Sequence, residues 1–245
     1  MLKIENLKLT FYKGQPDEKV IFNNLNLTAQ KGEFIIIIGG NGAGKSTLMN
    51  LISGSMFPDS GKIFIDNMDI TNLPEHKRAK FVGRVFQDPL KGTAPNLTIE
   101  ENLSLAILRN SRKNLSFAIN KQNSEFFREK LSELNLGLEN SLNTKVGLLS
   151  GGQRQALTLL MATLVKPKIL LLDEHTAALD PKSCDRILEL TNKITQNKEM
   201  LTLMITHNME NALKLGTKTI QLEQGGIVKD IKGYRLKTIT SETFC

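Results

Sequence analysis

Residues 39–46, with the sequence GGNGAGKS, combine the residue types that bind phosphate groups. They follow the apolar run 34–38 and lead into residues 47–52, which gives the order strand, glycine loop, helix. Glycine adopts backbone conformations that a Cβ disfavours, so successive N–H groups can turn inward around an anion. Lys45 adds a positive charge for the outer phosphates, and Ser46 offers a hydroxyl to Mg²⁺. This glycine loop predicts that the chain binds a nucleotide.

Polar side chains stand just after three further predicted strands. Gln87 follows the first of them, and Asp173 and Glu174 follow the second. His207 follows the third. In an open parallel α/β sheet, the ligand crevice lies at the carboxyl ends of the strands. We therefore expect a phosphate-binding loop, an amide, two carboxylates and an imidazole to meet at one edge of the sheet.

The residue types suggest roles for these four side chains. Asp173 ends an apolar strand and can hold Mg²⁺, whereas Glu174 faces the opposite way and can polarise the attacking water. Gln87 can bind the metal or orient water. Each residue also has a simpler interpretation. Asp173 could be a helix N-cap and Glu174 a surface carboxylate, while Gln87 could be a turn residue and His207 a structural or surface histidine.

A second anion site is indicated by residues 149–153, with the sequence LSGGQ. Ser150 brings a hydroxyl, and Gly151 and Gly152 leave backbone N–H groups accessible at the start of a helix predicted for residues 153–165. A helix N-terminus favours negative charge. The chain thus has two phosphate-facing helix ends that are far apart in sequence.

Together with the residues at the strand ends, these motifs resemble the nucleotide-binding subunit of ATP-binding cassette (ABC) transporters. The resemblance extends from the first strand to about residue 232, and it implies an ATPase. It implies catalytic roles for Glu174, His207 and Gln87. It also implies that Ser46, Gln87 and Asp173 hold the metal. The nucleotide-binding residues that it implies are Phe11, Gly39, Gly40, Asn41, Gly42, Ala43, Gly44, Lys45, Ser46, Thr47, Ser150, Gly151, Gly152, Gln153 and Asp180.

Two details of the resemblance concern single residues. The aromatic ring that stacks on adenine in the family falls on Phe11, and Tyr12 stays an alternative because the following loop can be shifted by one residue. His175 stands where the family usually has proline, which returns a backbone N–H and adds a group expected to titrate near neutrality. In this the chain is similar to bacterial ATPases encoded beside substrate-binding lipoproteins of amino-acid uptake systems, which favours an importer.

The resemblance also implies cofactors, partners and a location. The cofactors are ATP and Mg²⁺, and the active form is a head-to-tail homodimer that encloses two ATP molecules. The expected partners are integral membrane permease subunits and a substrate-binding protein, with the ATPase on the cytoplasmic face of the cell membrane. A short permease helix is expected to dock in a groove between the core and the helical subdomain, next to Gln87. This groove is expected to be lined by the helix starting at Glu100 and by Leu90, Ala94, Pro95, Asn96 and Leu97.

The predicted fold is α/β: a P-loop NTPase core with a mostly parallel sheet, flanking helices, an N-terminal antiparallel β part and an inserted helical subdomain. We expect one ABC ATPase domain over residues 1–245, with the core at 1–87 and 146–245 and the helical subdomain at 88–145. Strands are predicted at 2–10, 20–28, 34–38, 62–66, 81–86, 169–172, 201–205, 219–222 and 226–230. Helices are predicted after the glycine loop up to Gly54 and at 100–108, 124–136 with Gly137 as its C-cap, 153–165, 183–195 and 209–215. Residues 98–101 form a capping box that opens the helix at 100–108, and residues 109–123 are predicted to be a loop or a poorly packed helix.

The composition narrows the class of protein. The 245 residues are 40% hydrophobic and 23% charged, as in a globular domain, and no apolar run approaches the roughly 20 residues of a membrane span. The net charge is +7, but Lys and Arg are scattered and Trp is absent, which indicates a solvated surface and no nucleic-acid partner. The start lacks the apolar core of a signal peptide, and Cys184 and Cys245 lie in unrelated contexts. We therefore expect reduced thiols and a cytosolic location.

Two other functions compete with a transport ATPase. One is a soluble ABC ATPase that acts on the ribosome, DNA or cofactor assembly, although the chain has one cassette and none of the coiled-coil or zinc insertions of such proteins. The other is a regulatory module without turnover, which the presence of both Glu174 and His207 disfavours. The sequence does not identify a transported solute, because the ATPase does not touch it.

Overall fold

The computed structural model describes residues 1–109, 120–208 and 215–232. The strands are β1 (Leu2–Phe11), β2 (Lys19–Ala29), β3 (Phe34–Ile38), β4 (Ser60–Ile65), β5 (Met68–Asp69), β6 (Val82–Val85), β7 (Ile169–Asp173), β8 (Leu201–Ile205), β9 (Lys218–Glu223) and β10 (Gly226–Lys232). The α-helices are α1 (Lys45–Ser53), α2 (Glu75–Arg78), α3 (Ile99–Leu108), α4 (Lys121–Ser132), α5 (Gly151–Leu164) and α6 (Pro181–Thr195). Short 3₁₀ helices cover Pro89–Gly92, Leu138–Asn140 and Val146–Leu148.

The chain forms two compact units. Unit 1 consists of Met1–Arg78 and the described part of Asn197–Cys245, and unit 2 consists of Ala79–Gln196. Unit 1 therefore holds the glycine loop with α1 and α2, and unit 2 holds β6, β7 and the helices α3 to α6. The boundaries of the helical subdomain at residues 88 and 145 stay a prediction.

Unit 1 contains an antiparallel sheet in the order β2-β1-β4-β5, as expected for the N-terminal part. Along β1 buried and exposed residues alternate, because only one face of this sheet is covered. The pairing of β1 with β2 is shifted at three places. Asn6 and Asn24 have positive φ angles of 49° and 67°. Asparagine tolerates this conformation, so β2 continues through the pair Asn23 and Asn24.

The second sheet of unit 1 has the strand order β10-β9-β3-β8. β3 is parallel to both β8 and β9, and all five of its residues are buried. Its four isoleucines suit a strand covered on both faces, since β-branched side chains pack well on a pleated surface. The strand delivers the chain directly to the glycine loop.

Two residues cap the C-terminal end of helix α1. Gly54, with φ 84°, ends the helix, and its N–H bonds to the Asn50 carbonyl at 3.0 Å. The fully buried Arg78 donates from Nη1 to the carbonyls of Leu51 and Ile52, at 2.5 and 3.1 Å. These carbonyls have no partner within the helix, so Arg78 satisfies groups that burial would otherwise leave unpaired.

Within the described residues, unit 2 contains the parallel pair β6 and β7, together with the α-helices α3 to α6. Helix α3 begins with a complete capping box in which the Thr98 hydroxyl accepts from the Glu101 N–H and the Glu101 carboxylate accepts from the Thr98 N–H. The sequence predicted this box, although the helix begins at Ile99, one residue earlier than predicted. The buried Asn102 bonds both the N–H and the carbonyl of Ala94, which fixes the loop before the helix.

Helix α4 differs from the prediction at both ends. It runs from Lys121 to Ser132 instead of 124–136, because the Asn120 side chain caps its start and the chain turns after Glu133. Leu134 is buried beyond the helix, which extended the apolar pattern past the true end. The prediction that Gly137 is the C-cap is wrong: Gly137, with φ 72°, begins the next 3₁₀ helix.

Other elements depart less from the sequence prediction. The short helix α2 and the two-residue strand β5 had no recognised signal, and β4 begins at Ser60 rather than at residue 62. The helix predicted at 209–215 lies almost entirely outside the described residues, as does most of the loop predicted after Arg109.

Candidate functional site

The glycine loop of unit 1 follows β3 and ends in α1, in the predicted order. Two of its glycines are required by close neighbours. Gly44 has φ 95°, and a Cβ there would lie 2.8 Å from the ring of Phe22. A Cβ on Gly39, with φ 152°, would lie 2.4 Å from the Leu222 carbonyl oxygen. These positions admit no side chain, so the loop stays close to the sheet with its backbone exposed to a ligand.

Lys45 lies in the centre of this loop and is buried, with 8% of its surface exposed. Its Nζ donates to the carbonyls of Gly39 and Gly40, at 2.7 and 3.1 Å. Within the described part of the chain these neutral carbonyls, and no carboxylate, hold the ammonium. Its charge is therefore available to a phosphate. Among the described residues beyond the chain neighbours of Gly40, no atom lies within 4 Å of the position of a Cβ on that glycine. This cradle fits the phosphate chain of a nucleotide.

The two aromatic candidates for adenine stacking end β1. Phe11 is half-buried and Tyr12 is 59% exposed, and their ring centroids are 6.3 Å apart with an edge-on arrangement. Lys19, which pairs with Phe11 across the β1–β2 ladder, has its Nζ 3.4 Å from the position of a Cβ on Gly42. Phe11 is thus the cross-strand partner of a lysine whose side chain reaches the glycine loop. Both aromatic residues stay candidates for stacking on adenine.

His207 also belongs to unit 1. It follows β8 after Thr206 and is exposed, and the N–H of Asn208 bonds to the Thr206 hydroxyl at 3.0 Å. Because β8 and β3 are parallel neighbours, His207 and the glycine loop both follow the carboxyl ends of adjacent strands. This is the arrangement that the sequence predicted for these two groups.

In unit 2, Asp173 ends β7 and forms an ion pair with Arg84 of β6. The Arg84 Nη2 lies 3.1 Å from Oδ2 of Asp173, and the two side chains are only 11% and 14% exposed. The guanidinium also lies 4.5 Å above the ring of Phe86. Sequence reasoning missed Arg84. Its one signal is a cation inside an otherwise apolar strand.

Gln87 and Glu174 meet in the same unit. The Gln87 Nε2 lies 3.4 Å from Oε2 of Glu174, because β6 and β7 are parallel and the two residues follow their carboxyl ends. Glu174 has φ 46°, which is uncommon for a residue with a side chain. The structure therefore brings together an amide and a carboxylate that the sequence predicted for one catalytic site.

The LSGGQ segment begins α5 with a capping box. The Ser150 hydroxyl accepts from the Gln153 N–H at 3.2 Å, and the Gln153 side-chain oxygen accepts from the Ser150 N–H at 3.1 Å. A Cβ on Gly152 would lie 2.7 Å from the hydroxyl of Ser183 in the first turn of α6. The glycine therefore allows the first turns of α5 and α6 to approach closely.

Asp180 is the N-cap of α6, with Oδ1 accepting from the Ser183 N–H at 3.0 Å. Hydrogen bonds from the Ser183 side chain and backbone lower the pKa of this exposed carboxyl. Asp180 thus stands as an anion at a helix N-terminus, where negative charge is stabilised.

His175 differs from the expectation that it titrates near neutrality. It is 2% exposed, and burial lowers its pKa to about 4, so the imidazole is neutral at pH 7. The prediction of a near-neutral pKa failed because no local pattern in the sequence indicates that this residue is buried.

The strand–glycine loop–helix unit with its buried lysine defines a P-loop nucleotide-binding protein of the α/β class. A family model described as ABC transporter matches residues 22–177. The chain belongs to the ABC transporter family, and it is an ATP-binding ATPase subunit of that family.

Known proteins resemble the chain over nearly its whole length. A tyrosine transport ATP-binding protein of Clostridioides difficile (strain R20291) is 46% identical over 242 residues, which cover 99% of this chain and 96% of that protein. The thiamine import ATP-binding protein ThiQ of Shigella sonnei is 35% identical over 202 residues, 82% of each chain. The fold matches a dimeric post-hydrolysis structure of the ATP-binding cassette MJ0796 bound to ADP and Pi, with TM-score 0.79, 31% identity and coverage of 95% and 98%.

No helix in the described residues combines the length and the apolar character that a membrane span requires.

Proposed function

We propose that this ATPase subunit drives the import of a solute through separate membrane permease subunits, from the cytoplasmic face of the cell membrane. The observation that carries the proposal is that one chain contains both a phosphate-binding glycine loop around Lys45 and a second capped helix N-terminus at Ser150. The relatives named for tyrosine transport and thiamine import support the direction. The kinship with the first of them favours an amino acid as the solute.

The chemistry follows from the residue types. Lys45 binds the outer phosphates, Glu174 accepts a proton from the attacking water, and Gln87 and His207 orient the reacting groups. Mg²⁺, when bound, would neutralise phosphate charge, and the ligands that fit it are the oxygens of Ser46, Gln87 and Asp173. A hydroxyl, an amide and a carboxylate form the hard donor set that this ion prefers.

We further propose that two copies associate head to tail, with Ser150 of each facing the nucleotide bound to the other. Two observations support this dimer. The apolar side chain of Leu148, two residues before Ser150, is 78% exposed. The ATP-binding cassette at 31% identity is dimeric in its structure.

A glutamine at position 174 tests the reaction and the dimer together. Glu174→Gln keeps the size of the side chain but removes its charge, so it should bind ATP and lose at least about 10²-fold in turnover, the scale of a general base. With MgATP it should accumulate as a dimer in light scattering. Wild-type turnover in this variant would contradict the assignment.

Ser150→Arg, added to Glu174→Gln, should keep the protein monomeric while ATP still binds. Thr98→Arg is the matched control, since Thr98 also caps a helix through a capping box but belongs to α3. Each arginine removes a cap that contributes about 1 kcal/mol, so both variants should lose similar stability. If both dimerise equally with MgATP, Ser150 has no place in the dimer interface.

The permease should dock on the segment after Gln87. Leu90 is 44% exposed there, and Asn102 holds the following loop at Ala94. Leu97→Asp should leave the ATPase activity of the isolated subunit within a few-fold but prevent co-purification of the permease from detergent extracts. Recovery of ribosomes or DNA by the wild-type chain, with no integral membrane protein, would favour the soluble ABC ATPase instead.

A further inference from the structure

His175, the residue after Glu174, is buried against the middle of α6. Its Nε2 lies 3.1 Å from the hydroxyl oxygen of Thr191, a residue with no exposed surface. Both residues belong to unit 2. Burying two polar side chains costs free energy unless they are hydrogen-bonded. The hydrogen bonds of this pair therefore indicate what it does.

The direction of this hydrogen bond is fixed by the helix. The Thr191 hydroxyl donates its single hydrogen to the carbonyl of Ile187, at 2.8 Å, and can only accept from the imidazole. The imidazole therefore donates from Nε2 to the Thr191 hydroxyl.

The backbone next to this donor is strained. Glu174 has φ 46°, in the left-handed region, which is unfavourable for a residue with a Cβ. Such a conformation persists only where neighbouring contacts hold it. The N–H of Ala177 donates to the carbonyl of Glu174 at 3.0 Å. His175 is hydrogen-bonded to Thr191, and Asp180 caps α6. The segment 174–180 is thus attached to α6 at its two ends.

We propose that His175 is a positioning residue, which holds Glu174 in its strained conformation by anchoring the following backbone to Thr191 of α6. This inference rests on the proposed role of Glu174 as the catalytic carboxylate. Without the anchor, Glu174 can relax to a negative φ, and its carboxylate then leaves the place beside Gln87. Displacements of about 1 Å can cost on the order of 10²-fold in rate, so partial loss of the anchor should cost roughly ten-fold.

The test removes the acceptor without changing the shape of the core. Thr191→Val deletes the hydroxyl, and we expect kcat to fall roughly ten-fold with KM for ATP within two-fold. Thr191→Ser keeps the hydroxyl and should restore kcat to within about three-fold. Thr195→Val is the matched control, because Thr195 makes the same bond to the carbonyl four residues before it but lies one turn away. It should leave kcat within two-fold. Because Thr195 is only partly buried and, among the described residues, bonds no histidine, it should lower thermal stability less than Thr191→Val does.

A double-variant cycle tests whether the two residues act through one bond. His175→Leu should lower kcat about as much as Thr191→Val, and the double variant should lose little more than either single one. Equal kcat values in Thr191→Val and Thr195→Val would overturn the positioning role. The positioning role would also be overturned if the kcat losses of the two single variants multiplied in the double variant.

The Glu174→Gln variant separates this inference from the proposed function. If it keeps wild-type turnover, Glu174 is not the catalytic carboxylate and the positioning role is lost with it. If it loses turnover while Thr191→Val behaves as Thr195→Val, the catalytic assignment holds and only the anchor is refuted.

Discussion

Arg84 and Asp173 form an ion pair between the neighbouring parallel strands β6 and β7, with 3.1 Å between Nη2 and Oδ2. Both side chains are mostly buried, so the pair belongs to the interior of unit 2 and not to its surface. The same carboxylate is the proposed metal ligand. In the structure, the charge of Asp173 is therefore balanced by a residue of its own chain.

Removal of Arg84 should destabilise the protein more than the loss of a surface pair. Arg84→Gln leaves a mostly buried carboxylate without its cation, and we expect a loss of about 1–3 kcal/mol in the free energy of unfolding. Lys130→Gln, which breaks an exposed pair with Glu133, should lose less than about 1 kcal/mol. Urea unfolding of both variants at pH 7.5 measures these losses in the free energy of unfolding. Equal losses would contradict the conclusion that the ion pair of Arg84 lies in the interior.

Adenine stacking distinguishes Phe11 from Tyr12. Stacking of a base on an aromatic ring is worth roughly 1–3 kcal/mol, so loss of the stacking ring should weaken ATP binding by about 5- to 150-fold. We expect Phe11→Ala to show this loss and Tyr12→Ala to stay within about three-fold. Titration of both variants with ATP and GTP measures it. The reverse order would assign the ring to Tyr12, and modest selectivity between ATP and GTP is expected in either case, because stacking reads no base edge.

Arg78 should be among the most sensitive positions outside the site. It is fully buried, burial lowers its pKa to about 10, and it also bonds the carbonyls of Thr71 and Leu73, at 2.8 and 2.6 Å. Arg78→Met should cost about 3 kcal/mol or more in the free energy of unfolding, since several buried carbonyls lose their donor. His76→Met, at an exposed position two residues away in the same helix, is the control and should change the free energy of unfolding by less than about 1 kcal/mol. Similar losses in the two variants would contradict this role of Arg78.

The features that the sequence predicted have local signals. The capping box of Thr98 and Glu101 is a spacing of three residues, and the glycine loop is a continuous motif between an apolar run and a helix. The meeting of Gln87 with Glu174 could also be predicted, because it follows from a general rule about the ends of parallel strands.

The features that the sequence did not predict depend on contacts distant along the chain. Arg84 and Asp173 are 89 positions apart, and no local pattern indicates which carboxylate a strand arginine meets. The burial of His175 depends on the packing of α6 against the segment 174–180, which follows β7 in the chain. The end of α4 was misjudged for a related reason, since Leu134 is buried by tertiary packing and not by helical periodicity.

The neutral, buried state of His175 predicts how stability depends on pH. Burial lowers its pKa to about 4, whereas an unfolded chain restores a value near 6.5. Between these values the unfolded state binds a proton that the folded state excludes, so the free energy of unfolding falls as the pH is lowered. This residue alone should remove about 2 kcal/mol between pH 7.5 and pH 5. His175→Leu, although less stable at pH 7.5, should lose about 2 kcal/mol less than the wild type over that interval in urea unfolding. Thr195→Val, which leaves His175 intact, should keep the wild-type pH dependence. An equal fall in the wild type and in His175→Leu would mean that other groups cause the whole acid sensitivity.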